Sequence, residues 1–197
     1  LSSFLFNPFR HFGISIAWPR GFPLQYIKGH SHEEGSYVLC RKMRRAAVQH
    51  KIVNEHLDVD LLTSLNKETD IDANVQFNKF APPVWLSSGT YAPFNSRNTL
   101  FSSEAFFVLI LPLSNSDDSF DIWRSYYAQA LLHLVGESIY FVPPNSTHIT
   151  YERASFQDNN FLKLKELYEK AGKVVNIIKN WNCQANSITR CMINLAQ

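Results

Sequence analysis

The sequence predicts an α/β fold in which short strands alternate with helices, and three stretches carry that expectation. Residues 47–53 hold the β-branched Val48, Ile52 and Val53, the mark of a strand. Ile122, Trp123, Tyr126, Tyr127, Ala130, Leu131 and Leu134 recur at the helical period. Residues 138–142 form a short apolar run directly after that helix stops at Gly136.

Taken in order, residues 1–23 are dense in aromatics, Pro and Gly. Asn7-Pro8, Trp18-Pro19 and Phe22-Pro23 each push the residue before the proline toward extended geometry, so a packed loop is expected. The strand at 47–53 should end at Asn54. A helix should follow Asp58, whose carboxylate can accept from first-turn amides while Asp60 meets the positive end of the dipole. Residues 67–78 are polar and read as a connector, 81–86 as extended chain, and Ser87-Ser88-Gly89 as a turn. Residues 103–111 have helix-compatible apolar spacing, stopped by Pro112. The helix led by Asp118 or Ser119 should end at Gly136. The strand at 138–142 should be halted by Pro143-Pro144. Phe161, Leu164, Leu167, Tyr168, Ala171, Val174, Val175 and Ile178 then stripe a long helix, residues 158–182, which Gly172 should weaken locally.

With 197 residues, 45% hydrophobic and 14% aromatic, the chain can bury one core of ordinary size, and no repeat or Gly/Ser linker divides it. A net charge of +2 and only 18% charged residues give no field that argues for nucleic acid or an acidic membrane as partner. Cys40, Cys183 and Cys191 lack metal-type spacing, and a Cys183–Cys191 disulfide is one open pairing. Asn145-Ser146-Thr147 is an N-glycosylation acceptor, expected on a loop after the two prolines. The longest apolar run, residues 105–113, is about half the length that crosses a bilayer. Leu1 stands where an initiator Met would, and residues 1–12 lack the pattern of a signal peptide, so the chain is expected to begin inside a longer protein.

Four segments carry a family resemblance. They are Phe6-Asn7-Pro8 leading to Trp18-Pro19-Arg20-Gly21-Phe22-Pro23-Leu24, then Val53-Asn54 through Asp58-Val59-Asp60. Ala81-Pro82-Pro83 through Pro93-Phe94-Asn95-Ser96-Arg97-Asn98-Thr99 follows, and Asp121-Ile122-Trp123-Arg124 through Tyr126, Gln129 and Leu131-Leu132 is the last. Together, across residues 6–150, they resemble the STELLO family of glycosyltransferases. Gly89-Thr90, Asp121-Ile122-Trp123 and the His148 region are more distantly similar to the reversibly glycosylated polypeptides, the UDP-arabinopyranose mutases. The resemblance implies the carboxy-terminal part of a GT-A-like fold, the nucleotide-diphospho-sugar transferase fold, incomplete here and inactive as this fragment. Half a sheet would leave an edge and apolar surface that the absent part normally covers. It also implies a nucleotide-sugar donor, a glycan acceptor, a divalent metal (Mn or Mg), and a lumenal domain of a Golgi type II membrane protein, anchored by a segment outside this chain. Members that assist cellulose synthase assembly suggest an alternative, a non-catalytic scaffold holding other Golgi glycosyltransferases.

The candidate chemistry follows from residue types. Asp58-Val59-Asp60 is a literal D-x-D, but helix capping accounts for both acids, and the family places its nucleotide site earlier. Asp121, at a helix start, is the candidate base for an acceptor hydroxyl; the bland alternative is a first-turn acid that stabilises its own helix. His148, past the Pro-Pro turn, is the candidate metal ligand, with a solvated loop histidine as the alternative. Asn95, Ser96, Arg97, Asn98 and Thr99 concentrate hydrogen-bonding groups beside aromatics, the chemistry of sugar binding or of a helix-capping turn. Arg20 and Gly21 can offer a guanidinium to a phosphate or acidic sugar, or hold loop carbonyls. Trp123 and Arg124 complete the expected sugar surface, and the basic run at 41–45 reads as a solvated face.

Overall fold

The computed structural model describes residues 4–27, 37–38, 46–54, 58–59, 76–110, 120–147 and 158–196, with side chains 158–164 and 166 left aside. The expected helix after Asp58, most of the 67–78 connector, the basic run at 41–45, Cys40, Asp60 and His148 lie outside the described residues.

A four-stranded mixed sheet forms the centre. β1 (Val48–Asn54) turns Val48, His50 and Ile52 inward on alternate positions, which is the pleat acting on a β-branched run. β2 (Val84–Trp85), β3 (Thr99–Phe101) and β4 (Ile139–Thr147) complete it in the order β2-β4-β1-β3. β4 runs parallel to β1 with Val48 opposite Ile139, while β2 and β3 pair antiparallel to β4 and β1.

One expectation fails here. Pro143-Pro144 does not stop β4, which continues to Thr147. The register steps from Lys51 opposite Val142 to Val53 opposite Ser146, so Ile52 faces three residues of β4. The two missing N–H groups therefore fall inside a bulge, and β2 on the other side pairs only with Tyr140 and Phe141, so no ladder bond is lost. Asn145 accordingly lies on a strand and not on a loop.

The amino-terminal stretch is more regular than expected. Asn7 Oδ1 accepts from Phe9 N at 3.0 Å and caps a four-residue helix, α1 (Pro8–His11), and α2 (Leu24–Ile27) follows; both are too short to show a period. Residues Ser103–Leu109 wind as a 3-10 helix and not an α-helix, burying Ala105 and Val108 at the spacing of three that this geometry stacks.

α3 (Phe120–Leu134) contributes to two apolar clusters. Toward the sheet it packs Leu131 and Leu132 with Phe12, Val48, Ile139 and Phe141. On the other side Ile122, Tyr126 and Ala130 meet Leu167, Val175 and Ile178 of α4 (Asp158–Asn180). Gly136, at φ 74°, ends α3 as expected: its N–H reaches His133 O while Glu137 N–H reaches Leu132 O, a Schellman stop. α4 runs unbroken through Gly172, because the Gln25 side chain occupies the space a Cβ would need. A last helix, α5 (Ile188–Ala196), escapes the sequence reading. A Cys183–Cys191 disulfide with Cα atoms 5.5 Å apart, and Tyr127 Oη donating to Met192 O at 2.8 Å, hold it to the body.

Candidate functional site

A cavity of about 360 Å³ opens beside β1 and the start of α3. Its apolar wall is Phe9, Phe94, Phe141, Ile52 and Ile122, and its polar wall is Arg20, Asp58, Asn95, Arg97 and His50, with Ser146 and Thr147 at one side. The mixture is that of a small-molecule site: apolar contact surface with a few converging polar groups.

Arg20 organises the polar wall. Its Nε donates to Asp58 Oδ1 at 2.7 Å, and its Nη2 donates to both oxygens of Asp121 at 3.2 Å. Asp58 Oδ2 accepts from Asn95 Nδ2 at 2.6 Å, and Asp121 Oδ2 also accepts from Ser96 N at 3.3 Å. Four chain segments far apart in sequence thus close into one charged network, the arrangement that makes a partly buried ion pair tolerable. Burial would raise the Asp58 pKa, but the charge and hydrogen bond of Arg20, then the Asn95 amide and Arg97, hold it below the ordinary carboxylate value. Burial would likewise lower that of Arg20, and its two carboxylates hold it above the ordinary guanidinium value.

The loop carrying Arg20 is fixed by its neighbour. Gly21 has φ 84°, its carbonyl accepts from Tyr126 Oη at 3.0 Å, and a Cβ there would collide with Ile122. The glycine therefore admits the helix rather than a ligand. Arg20 N–H also donates to Asp58 O at 2.8 Å, and Pro19 forms an isolated antiparallel bridge with Val59, so Asp58 arrives at the site on extended chain.

The 95–99 turn is the second fixed edge. Asn95 Oδ1 accepts from Arg97 N at 2.9 Å, and Asn98 sits at φ 51°, a left-handed position that asparagine tolerates. Asn98 Nδ2 donates to Lys51 O at 3.3 Å, Asn145 Oδ1 at 3.2 Å and Ser146 Oγ at 2.8 Å, tying the turn to the bulge. Arg124 donates to Ser96 Oγ and lies over the Phe101 ring, 5.6 Å from its centroid, where it is buried. The Arg97 guanidinium, by contrast, lines the cavity from an exposed position.

Of the residues expected from sequence, Arg20, Gly21, Asn95, Ser96, Asn98, Thr99, Asp121 and Arg124 are brought together. Arg20 and Asn95 line the cavity directly, whereas Asp121 stands behind Arg20 and Arg124 behind Ser96. Trp123 packs against the second apolar cluster instead. Asp58, read as a helix cap, spends its carboxylate on Arg20 and Asn95.

His50 was missed, although strand alternation places it on the inward face with Val48 and Ile52, and a polar residue on a buried face is a signal. It is 7% exposed, and burial drives its pKa down to about 4 against a weaker opposing pull from Asp58. Among the described residues no group of three His, Cys, Asp or Glu side chains converges as a metal site would require. Asp58, already engaged by Arg20 and Asn95, does not supply such a site alone.

A family model described as STELLO glycosyltransferases matches residues 118–197. The chain is 31% identical over 191 residues to the Arabidopsis thaliana protein named Probable glycosyltransferase STELLO1, and equally so to the one named Probable glycosyltransferase STELLO2. Each match covers 96% of this chain and 24% of the relative, so the chain spans about a quarter of the length of the curated relatives it matches.

Proposed function

The chain belongs to the STELLO family of glycosyltransferases, and from that premise we propose that its cavity holds a sugar during transfer from a nucleotide-sugar donor to a glycan acceptor, within a GT-A-like domain. One observation carries the reading. Arg20, Asp58 and Asn95, from three separate segments, converge in a cavity that Phe9, Phe94 and Phe141 also line. Fixed hydrogen-bonding groups facing a ring-sized apolar surface are what a pyranose needs.

In glycosyl transfer the acceptor hydroxyl loses its proton as the bond from the anomeric carbon to the leaving phosphate breaks. Asp121 serves here by fixing Arg20 as its counter-charge. To accept that proton itself it would have to exchange its Arg20 contacts for the hydroxyl. Asn95 and Arg97 donate to sugar or phosphate oxygens, and the Phe94 ring lies against the apolar face. A divalent cation, expected with His148 as ligand, would supply charge neutralisation for a departing diphosphate.

A lumenal, oxidising location fits the Cys183–Cys191 disulfide. It also fits the exposed Asn145, which is a candidate glycan carrier. No helix among the described residues is long and apolar enough to cross a membrane. Isothermal titration of the full-length protein with UDP-sugars and manganese tests the reading: saturable heat with at least one donor is expected, and none across the common donors would overturn it. In an active protein, Asp121→Asn should lower turnover at least tenfold, and unchanged turnover removes Asp121 from the mechanism.

A further inference from the structure

Two residues that line the cavity, His50 and Arg97, differ in what they can bind. Thr99 Oγ1 donates to Asn95 O at 2.9 Å, with Arg97 O at 3.2 Å, so toward His50 Nδ1, 2.8 Å away, it must accept. The proton of the imidazole is therefore on Nδ1, and Nε2 keeps its lone pair. That nitrogen has no partner among the described residues, is not sealed in the interior, and belongs to a ring that lines the cavity. The Phe94 and Phe141 rings, 5.7 and 5.6 Å away between centroids, hold the imidazole in place.

A neutral nitrogen acceptor repels an anion and welcomes a hydroxyl. Arg97 presents the opposite chemistry. Arg20 is neutralised by Asp58 and Asp121, and Arg124 is turned onto Ser96, whereas the Arg97 guanidinium makes no side-chain hydrogen bond or close ion pair among the described residues and is coupled to Asp58 only at longer range. Arg97 lines the cavity from an exposed position, with the five donors of its guanidinium unspent among the described residues. A volume of about 360 Å³ is near the lower end of ligand sites, roughly 300–1,000 Å³, and suits one ring with one appended group.

We propose that the cavity is a site for a single sugar unit bearing an anionic group, with that group on Arg97 and a ring hydroxyl donating to His50 Nε2. The proposal deepens the transferase reading and rests on it for the sugar. The anion is either the phosphate of an activated sugar or the carboxylate of a uronate, because a guanidinium fork matches both.

Titration of the full chain with glucose 1-phosphate, glucuronate, glucose and inorganic phosphate, without nucleotide or metal, tests it. One or both of the two anionic sugars should bind at least tenfold more tightly than glucose and than inorganic phosphate; which of them binds identifies the source of the anion. Arg97→Gln, at an exposed position, should remove that preference, a loss of about 10- to 100-fold for a charge-assisted contact. His50→Phe should weaken binding by about 2- to 10-fold while the preference for the anionic sugar remains.

Should His50→Phe fail to fold, the side-chain nitrogen resonances of the unmodified protein decide the point. They should show the Nδ1–H tautomer and a ligand-dependent shift at Nε2. Equal binding of glucose, binding of phosphate alone as tight as that of the sugar phosphate, or an Nε2 resonance indifferent to ligand would each overturn the proposal. These measurements need no nucleotide sugar, so the two readings fail separately: anionic-sugar binding by this chain, with no donor bound by the full-length protein, would keep this site and lose the transferase.

Discussion

The regions around His50 and His133 contain the same side chain in similar surroundings and put it to different use. Burial lowers the pKa of each ring to about 4, so both are neutral at pH 7. His133, on the last turn of α3, accepts from Gly89 N through Nδ1 at 3.3 Å and stands against the Tyr91 ring, while its Nε2 is sealed without a partner. His50 satisfies Nδ1 through Thr99 and keeps an unsealed Nε2 on a ring that lines a cavity. A displaced pKa therefore does not distinguish a binding group from a packing group here. What surrounds the second nitrogen does.

The largest effect that sharpens this contrast is in the charged network that lines the cavity with His50. Arg20→Met strips Asp58 and Asp121 of their shared cation and should cost about 3 kcal/mol or more in urea unfolding, because partly buried carboxylates are left uncompensated. Adding Asp58→Asn should recover part of that loss. A cost below 0.5 kcal/mol would mean the network does not hold the cavity wall.

Acid should act next, and through both rings. The unfolded chain protonates a histidine near 6.5 and the folded chain only near 4, so the unfolded state binds more protons between those values. Stability is then complete above pH 6.5 and falls as pH drops toward 4, by up to about 3 kcal/mol for His50 and less for the more exposed His133. Urea midpoints at pH 7, 5.5 and 4.5 check the sign, and a flat profile would contradict the burial of both rings.

His133→Phe separates the two. It removes a sealed, unpartnered N–H and should change stability at pH 7 by less than about 1 kcal/mol while flattening part of the acid slope and leaving sugar binding untouched. The smallest effect is at the end of α3, where Gly136→Ala forces a side chain into φ 74° with open space around it and should cost about 1 kcal/mol by thermal unfolding.

Much of this architecture is legible without coordinates. The strand at Val48–Asn54, the helix from Phe120 to Leu134 and its glycine stop follow from patterns that need only near neighbours. The course of β4 through Pro143-Pro144 is not local, since the bulge opposite Ile52 exists only once β1 is paired. The 3-10 winding at Ser103–Leu109 is also invisible to a count of apolar positions, which fit a spacing of three as well as one of 3.6. At the site, the types of Arg20, Asn95 and Asp121 mark them as candidates, but nothing near Asp58 in the chain reveals that Arg20 claims its carboxylate. His50 shares the inward face of its strand with Val48 and Ile52, so its burial is legible in the sequence, whereas its place on a cavity is not.

Residue chemistry, period and turn signals, which act over a few positions, determined by themselves that this chain forms strands and helices, where most of them lie, and which polar groups are candidates. Only the tertiary structure decided that Arg20, Asp58, Asn95 and Asp121 share one network and that Arg97 and His50 face one cavity. Ion pairing and enclosure depend on distances between segments up to 101 positions apart, and only folding sets those distances.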